Sequence, residues 1–274
     1  MSHDITKELL DDLYSTFDIR KFKSVDPCGA VYQLMEHTSS QLDIEIGALL
    51  TAMISWGSRK VIVPTALHML RDEMQWQPAR FVMDGIYEDS YASASNQCVY
   101  RTLNVPTFKS VCHNLQSSLA GCDTMERRLS GLTTKEAIGE ICKWLEPAKV
   151  GTMDKSACKR VCMFLRWMVR HDTPDLNLWK SRDQSDLYAV MDIHVCQLTS
   201  SLLNGRKPSW KTCEMLTDIF RSWNPDDPLR YDIALMQVAP FPSLIQRPAV
   251  GLSDSLRICP GIIKRLHQSV KYLR

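Results

Sequence analysis

Apolar residues along this chain recur mostly at three- and four-residue spacing, the period of an α-helix with one buried face. Leu9 to Phe17 carries that pattern, and Ala30 to Met35 repeats it after the turn Val25-Asp26-Pro27-Cys28-Gly29. From Gln41 to Ser55 the run is almost continuously apolar and free of helix breakers, which predicts a buried central helix. It ends at Trp56-Gly57-Ser58, and Arg59 to Arg71 resumes helical spacing. Between about 76 and 146 shorter helices alternate with polar turns, 89–97 reads as a loop, and Thr133-Thr134-Lys135-Glu136 signals a cap ahead of Ala137 to Leu145. Further helices are expected over Ser156 to Arg170, after Asp192 as far as Asn204-Gly205, and over Leu229 to Val238. Strict alternation is nearly absent, there is no internal repeat, and the expected fold is all-α.

Composition narrows the class. The chain has 274 residues, 45 % hydrophobic and 23 % charged, enough for one large domain or two modest ones that share a cleft. Net charge is only +2, so a nucleic-acid surface would have to come from local clustering. No apolar run approaches the roughly 20 residues that span a bilayer. The first residues lack the basic-then-apolar pattern of a secretory signal, so a cytoplasmic protein without membrane association is expected; the oligomeric state is left open, with a monomer as the first choice. Ten cysteines are scattered, none in Cys-x-x-Cys, and read as small buried hydrophobes in a reducing compartment. No metal site and no cofactor is expected.

Two stretches hold candidate chemistry. Projected on a helix, Ser156 to Arg170 sets Val161, Phe164, Leu165 and Met168 on one face and Lys159, Arg166 and Arg170 on the other, with Lys155 and Arg160 near its start. Such a basic ridge is either a solvated face or a phosphate-contacting surface. Further on, Ala189-Val190-Met191-Asp192-Ile193-His194-Val195 places one carboxylate between an apolar approach and an amphipathic run. Asp192 can cap that helix or be held at its positive end, facing a cleft. Asp232, in the first turn of a later helix beside Tyr231, admits the same capping reading.

These pieces resemble one superfamily, the helix-hairpin-helix DNA glycosylases. Leu49-Leu50-Thr51-Ala52-Met53-Ile54-Ser55 resembles the end of their central helix. Ser156-Ala157-Cys158-Lys159-Arg160-Val161 is similar to the start of the helix that carries the catalytic lysine of bifunctional members. Met191-Asp192-Ile193-His194-Val195 resembles their Val-Asp-x-His-Val stretch, whose aspartate is catalytic. The likeness covers roughly residues 40 to 240, and the chain as a whole looks like a divergent bacterial branch of uncharacterised proteins. The long separation between lysine and aspartate is more like the archaeal 8-oxoguanine glycosylases.

The resemblance implies two helical subdomains flanking a cleft, at about 40–145 and at 1–39 plus 146–274, with a degenerate hairpin. It implies an enzyme that excises an oxidised purine such as 8-oxoguanine from duplex DNA, with possible β-lyase activity. Lys159 and Asp192 would be catalytic. Asp232, Tyr231 and Trp56 would contact the flipped base, and Lys155, Arg160, Arg166 and Arg170 the DNA. Departures are visible. Pro147-Ala148-Lys149-Val150-Gly151 holds one glycine where the hairpin usually has two, Gly57 stands where related enzymes carry a gap-filling glutamine, and the four-cysteine cluster site is missing. A non-catalytic nucleic-acid-binding protein on the same fold, or an enzyme acting on nucleosides or RNA bases, are the alternatives.

Overall fold

The computed structural model describes residues 5–90 and 97–238; most of the loop expected over 89–97 and the last cysteine, Cys259, lie outside them. Helix makes up 61 % of the described residues, and the fold is all-α. The helices in chain order are α1 (Lys7–Ser15), α2 (Ile19–Val25), α3 (Cys28–Met35), α4 (Gln41–Met53), α5 (Arg59–Leu67), α6 (Pro78–Met83), α7 (Ile86–Ser90), α8 (Val105–Leu119), α9 (Met125–Leu129), α10 (Thr134–Trp144), α11 (Lys159–Val169), α12 (Ile193–Leu198), α13 (Trp210–Trp223) and α14 (Arg230–Val238). One short antiparallel pair, β1 (Cys98–Tyr100) and β2 (Leu103–Asn104), precedes α8. Strands of three and two residues are too short to show alternation, so the pattern of apolar positions could not announce them. No helix among the described residues is long and apolar enough to cross a membrane.

The chain divides into two compact units. The larger holds residues 22–152 and 160–183, the smaller 1–21, 153–159 and 184–274. The boundaries differ from the expected 40–145 against the rest, because α3 packs on α4 and the segment after α11 packs back on α11.

The larger unit is built on α4. Every side chain from Asp43 to Met53 is buried, as the unbroken apolar run required. Ser40 caps the helix by accepting from the Asp43 amide at 3.2 Å. Glu45 is fully buried in this helix yet well satisfied: its carboxylate accepts from the Met125 and Glu126 amides that open α9, from Gln41, and from the Trp179 indole at 2.6 Å. Thr133 and Glu136 form the capping box expected ahead of α10.

Helix α11 starts three residues later than its spacing suggested. Ser156 accepts the Cys158 amide at 3.1 Å, and Cys158 itself takes a left-handed φ of 49°, so the helical geometry begins only at Lys159. Beyond it, Val161 to Arg170 is buried all round. The stretch 172–179 is folded onto this helix: Leu176 donates to the Trp167 carbonyl, and Leu178 and Trp179 to that of Met168.

In the smaller unit α1 packs on α14. Arg230 reaches Asp11 at 3.6 Å and covers the Tyr14 ring. Helix α12 is a short six-residue piece, ended well before Asn204-Gly205 by turns. That early stop shifts the helical phase, so Leu203 is buried and Leu202 only half-buried.

Candidate active site

Lys159 and Asp192 both belong to the smaller unit, and they meet. The Lys159 Nζ lies 3.0 Å from Asp192 Oδ2, with the two side chains 36 % and 26 % exposed. Asp192 is also the N-cap of α12: its Oδ1 accepts the His194 and Val195 amides, each at 2.9 Å. The capping and the charged-partner readings therefore hold together, one on each carboxylate oxygen. Burial pushes the Asp192 carboxyl up, but the Lys159 ammonium and the Val195 amide outweigh it and hold the group below the usual carboxylate range. It is an anion at neutral pH, partly withdrawn from water.

The approach to Asp192 is an irregular segment, 189–191, in which the Met191 amide donates to the Ala189 carbonyl at 3.0 Å, and two helices hold it. Thr217 of α13 accepts the Ala189 amide at 3.0 Å, and the Cys213 thiol contacts the Ala189 carbonyl at 3.2 Å. Asp232 of α14 accepts the Val190 amide at 2.7 Å. The backbone that delivers Asp192 is thereby pinned on successive residues. Asp232 is only 2 % exposed, so it does not present its carboxylate to a base; it positions the Asp192 segment. Tyr231 is likewise corrected. It is fully buried, with Phe220 and Trp223 packed around it at ring distances of 5.3 and 5.5 Å, and it offers no stacking face. Thr217 was missed from the sequence. Its signal was a hydroxyl four residues after Cys213 and three before Phe220, on the apolar stripe of α13, where a hydroxyl must find a buried partner.

The basic ridge does not exist as expected. Arg166 and Arg170 are 1 % and 0 % exposed, and both bind the buried Asp175 carboxylate, at 3.1 and 3.3 Å. A helix packed on every side leaves no polar face, and the opposite-face projection failed because the segment after the helix folds back to supply the acid. Neither arginine reaches solvent to touch DNA. Lys155 stays on the surface, 82 % exposed and loosely paired with Asp154 at 3.9 Å. Ile193, next to Asp192, is the unexpected surface feature: a large apolar side chain left 58 % exposed.

Trp56 and Arg160 belong to the larger unit. The Arg101 guanidinium sits over the Trp56 ring at 4.5 Å, Tyr100 meets that ring edge-on, and the Tyr100 hydroxyl donates to the Trp56 carbonyl. Gly57 follows at φ 97°, a backbone angle that favours glycine; a Cβ there would also fall 2.0 Å from a terminal nitrogen of Arg101, which would have to swing away. Arg160 donates to the carbonyls of Met53 and Lys149 at 2.7 and 3.0 Å. Both residues line a cavity of about 440 Å³ whose walls include neither Lys159 nor Asp192. No group of three or more His, Cys, Asp or Glu among the described residues could hold a metal ion.

The architecture and the charged pair thus define an all-α protein with an ion-paired lysine and aspartate at the head of two helices. The chain belongs to a family described as a protein of unknown function (DUF2400), whose model matches residues 26–240. No curated protein and no solved structure matches it.

Proposed function

We propose that this protein is a DNA base-excision glycosylase that captures the sugar on a lysine, acting on an oxidised purine such as 8-oxoguanine in duplex DNA. The observation that carries the reading is the 3.0 Å approach of Lys159 Nζ to Asp192 Oδ2 within one unit. The resemblance of both flanking motifs to helix-hairpin-helix glycosylases supplies the reaction class.

In this reading the damaged nucleotide is flipped from the stack. The C1′–N bond breaks with its electron pair going to the base, and the Asp192 carboxylate stabilises the positive charge left on the sugar. As an ion-paired ammonium, Lys159 has no electron pair to give. Its proton passes to the departing base, and the amine then adds to C1′; the C1′–O4′ bond breaks with its electron pair on O4′, which takes a proton from the nitrogen, and the open sugar is left as a protonated Schiff base. β-Elimination from that imine gives a C2′ proton to water and expels the 3′-phosphate with the C3′–O electron pair, which nicks the strand. Lys155 remains as a phosphate contact, and Ile193, exposed at the pair, supplies an apolar contact to the opened duplex. No disulfide joins any described cysteine, in keeping with a reducing, cytoplasmic setting.

The test is incubation with lesion-bearing duplexes in the presence of borohydride, which reduces the imine to a stable amine. Covalent complexes form with the wild type and vanish in Lys159→Gln, while Asp192→Asn stops base release. A panel without trapped complex or released base in the wild type defeats the proposal. A second reading is favoured by the saturation of Asp192, whose two oxygens are already bonded to Lys159 and two amides. In it the pair is structural, on a nucleic-acid-binding protein without chemistry. Salt-dependent duplex binding, indifferent to Asp192→Asn and without base release, selects that reading. Base release from nucleosides alone points instead to a nucleoside-directed enzyme.

A further inference from the structure

The cavity of the larger unit has its own chemistry. It opens beside the C-terminal end of α4, the β1–β2 turn, the start of α8 and the short turn 146–148. At about 440 Å³ it matches the size range of small-ligand sites. Its walls contain no aspartate or glutamate, while Arg160 and Lys149 bring two cations and Trp56 an aromatic ring.

Arg160 is the telling residue. The two fully buried guanidiniums of this unit, those of Arg166 and Arg170, share the Asp175 carboxylate. Partly buried Arg59 lies 3.4 Å from Asp26. Arg160 is also partly buried, yet its bonds go to two neutral carbonyls, and no carboxylate among the described residues stands within ion-pair distance of it. Burial without a counter-charge pulls the guanidinium down to about 10, so it is still a cation at neutral pH. The two carbonyls fix its position in the wall. A partly desolvated, fixed guanidinium in a site without acids is matched by a phosphate dianion or monoanion. The indole in the same wall extends the match to a planar aromatic ring, and Asn104, whose side-chain oxygen already caps α8 at the Thr107 amide, has its amide nitrogen available to donate.

We propose that this cavity binds a nucleoside 5′-phosphate unit, with the phosphate at Arg160 and Lys149 and the base at Trp56, the unit coming either from a free mononucleotide or from an unpaired residue of a strand. The site stands on the larger unit alone and does not rest on the glycosylase reading of Lys159 and Asp192.

The experiment is calorimetric titration of the full chain with adenosine 5′-monophosphate, adenosine, inorganic phosphate, and a short single-stranded oligodeoxyadenylate. The nucleotide binds at one site, at least about tenfold tighter than adenosine or phosphate alone. Thr102→Trp, at an exposed position of the wall, blocks the cavity and abolishes binding, and Trp56→Leu weakens it about tenfold, as loss of one stacking contact does. Arg160→Gln also abolishes it; because Arg160 ties two carbonyls, its fold is checked by circular dichroism, and Thr102→Trp decides the matter if that variant unfolds. Lys159→Gln leaves nucleotide binding unchanged, which separates this site from the catalytic proposal. An oligonucleotide that displaces the mononucleotide and binds tighter identifies a strand as the source; mononucleotide binding alone identifies a free ligand. The proposal is overturned if neither probe binds, if Thr102→Trp leaves binding intact, or if inorganic phosphate binds as tightly as the nucleotide.

Discussion

Asp232 accepts the backbone amide of Val190 at 2.7 Å, two residues before Asp192, and so fixes the path on which the pair with Lys159 depends. Removing that acceptor in Asp232→Ala leaves a buried N–H without its bond, at a cost of about 1–3 kcal/mol. Asp232→Asn keeps a carbonyl oxygen for Val190 and loses less. Urea denaturation of the two variants checks the order. If Asp232 only stabilised the fold, both variants would keep the full rate of the proposed sugar capture once folded; as a positioning residue, its loss lowers that rate in the alanine variant and the asparagine variant restores it.

Asp192 has two roles that substitution can separate. Asp192→Asn keeps an oxygen for the His194 and Val195 amides, so the cap persists, while the charge facing Lys159 is gone. Asp192→Ala loses both, and loss of an N-cap costs about 1 kcal/mol. Thermal denaturation is expected to rank wild type above Asn and Asn above Ala. The proposed base release fails in both.

Acid stability follows from the same residue. The folded Asp192 carboxyl titrates below its unfolded counterpart, so its contribution is fully present above the unfolded carboxylate range, near pH 4. It is lost as pH falls through the lower folded value. Wild type and Asp192→Asn therefore draw together in stability as the pH falls below the unfolded carboxylate range, and differ at pH 6, with the wild type the more stable. Denaturant midpoints measured across pH 2.5–7 test this; parallel curves contradict it.

Asp175 neutralises two buried arginines at once. Asp175→Ala leaves both guanidiniums buried without their acid, at about 3–5 kcal/mol, enough to abolish soluble expression of a marginal fold. Lys155→Ala, at an exposed surface cation, leaves stability within about 0.5 kcal/mol. The contrast distinguishes a buried charge cluster from a DNA-facing ridge and is read from expression yield and denaturation midpoints.

Gly57→Ala places a Cβ against the Arg101 guanidinium at a backbone angle that favours glycine. The strain is about 1–3 kcal/mol, and the Trp56–Arg101 stack is displaced with it. Reduced thermal stability together with weakened nucleotide binding in the larger unit is the expected pair of effects.

Much of this was legible along the chain. The apolar run from Gln41 to Ser55 needed no partner to declare itself, since a helix hydrophobic on all sides has only the interior to occupy. The Thr133/Glu136 capping box and the N-cap at Asp192 were readable because capping is a contact between residues three positions apart. Lys159 and Asp192 were recognisable as candidates by motif, though their distance was not.

What the chain alone determined was local: helical period, caps, and the residue types available for chemistry. Tertiary structure decided which charges face water. Arg166 and Arg170 look like a solvated ridge until the segment through Asp175 folds back on them, and Asp232 looks like a helix-dipole acid until Val190 arrives at its oxygen. Both outcomes rest on contacts between separate elements, for which helical spacing holds no record. The same is true of the 3.0 Å between Lys159 and Asp192. The sequence supplied the ammonium and the carboxylate, and the packing of 189–191 against α13 and α14 brought the carboxylate to a defined place at the head of α12.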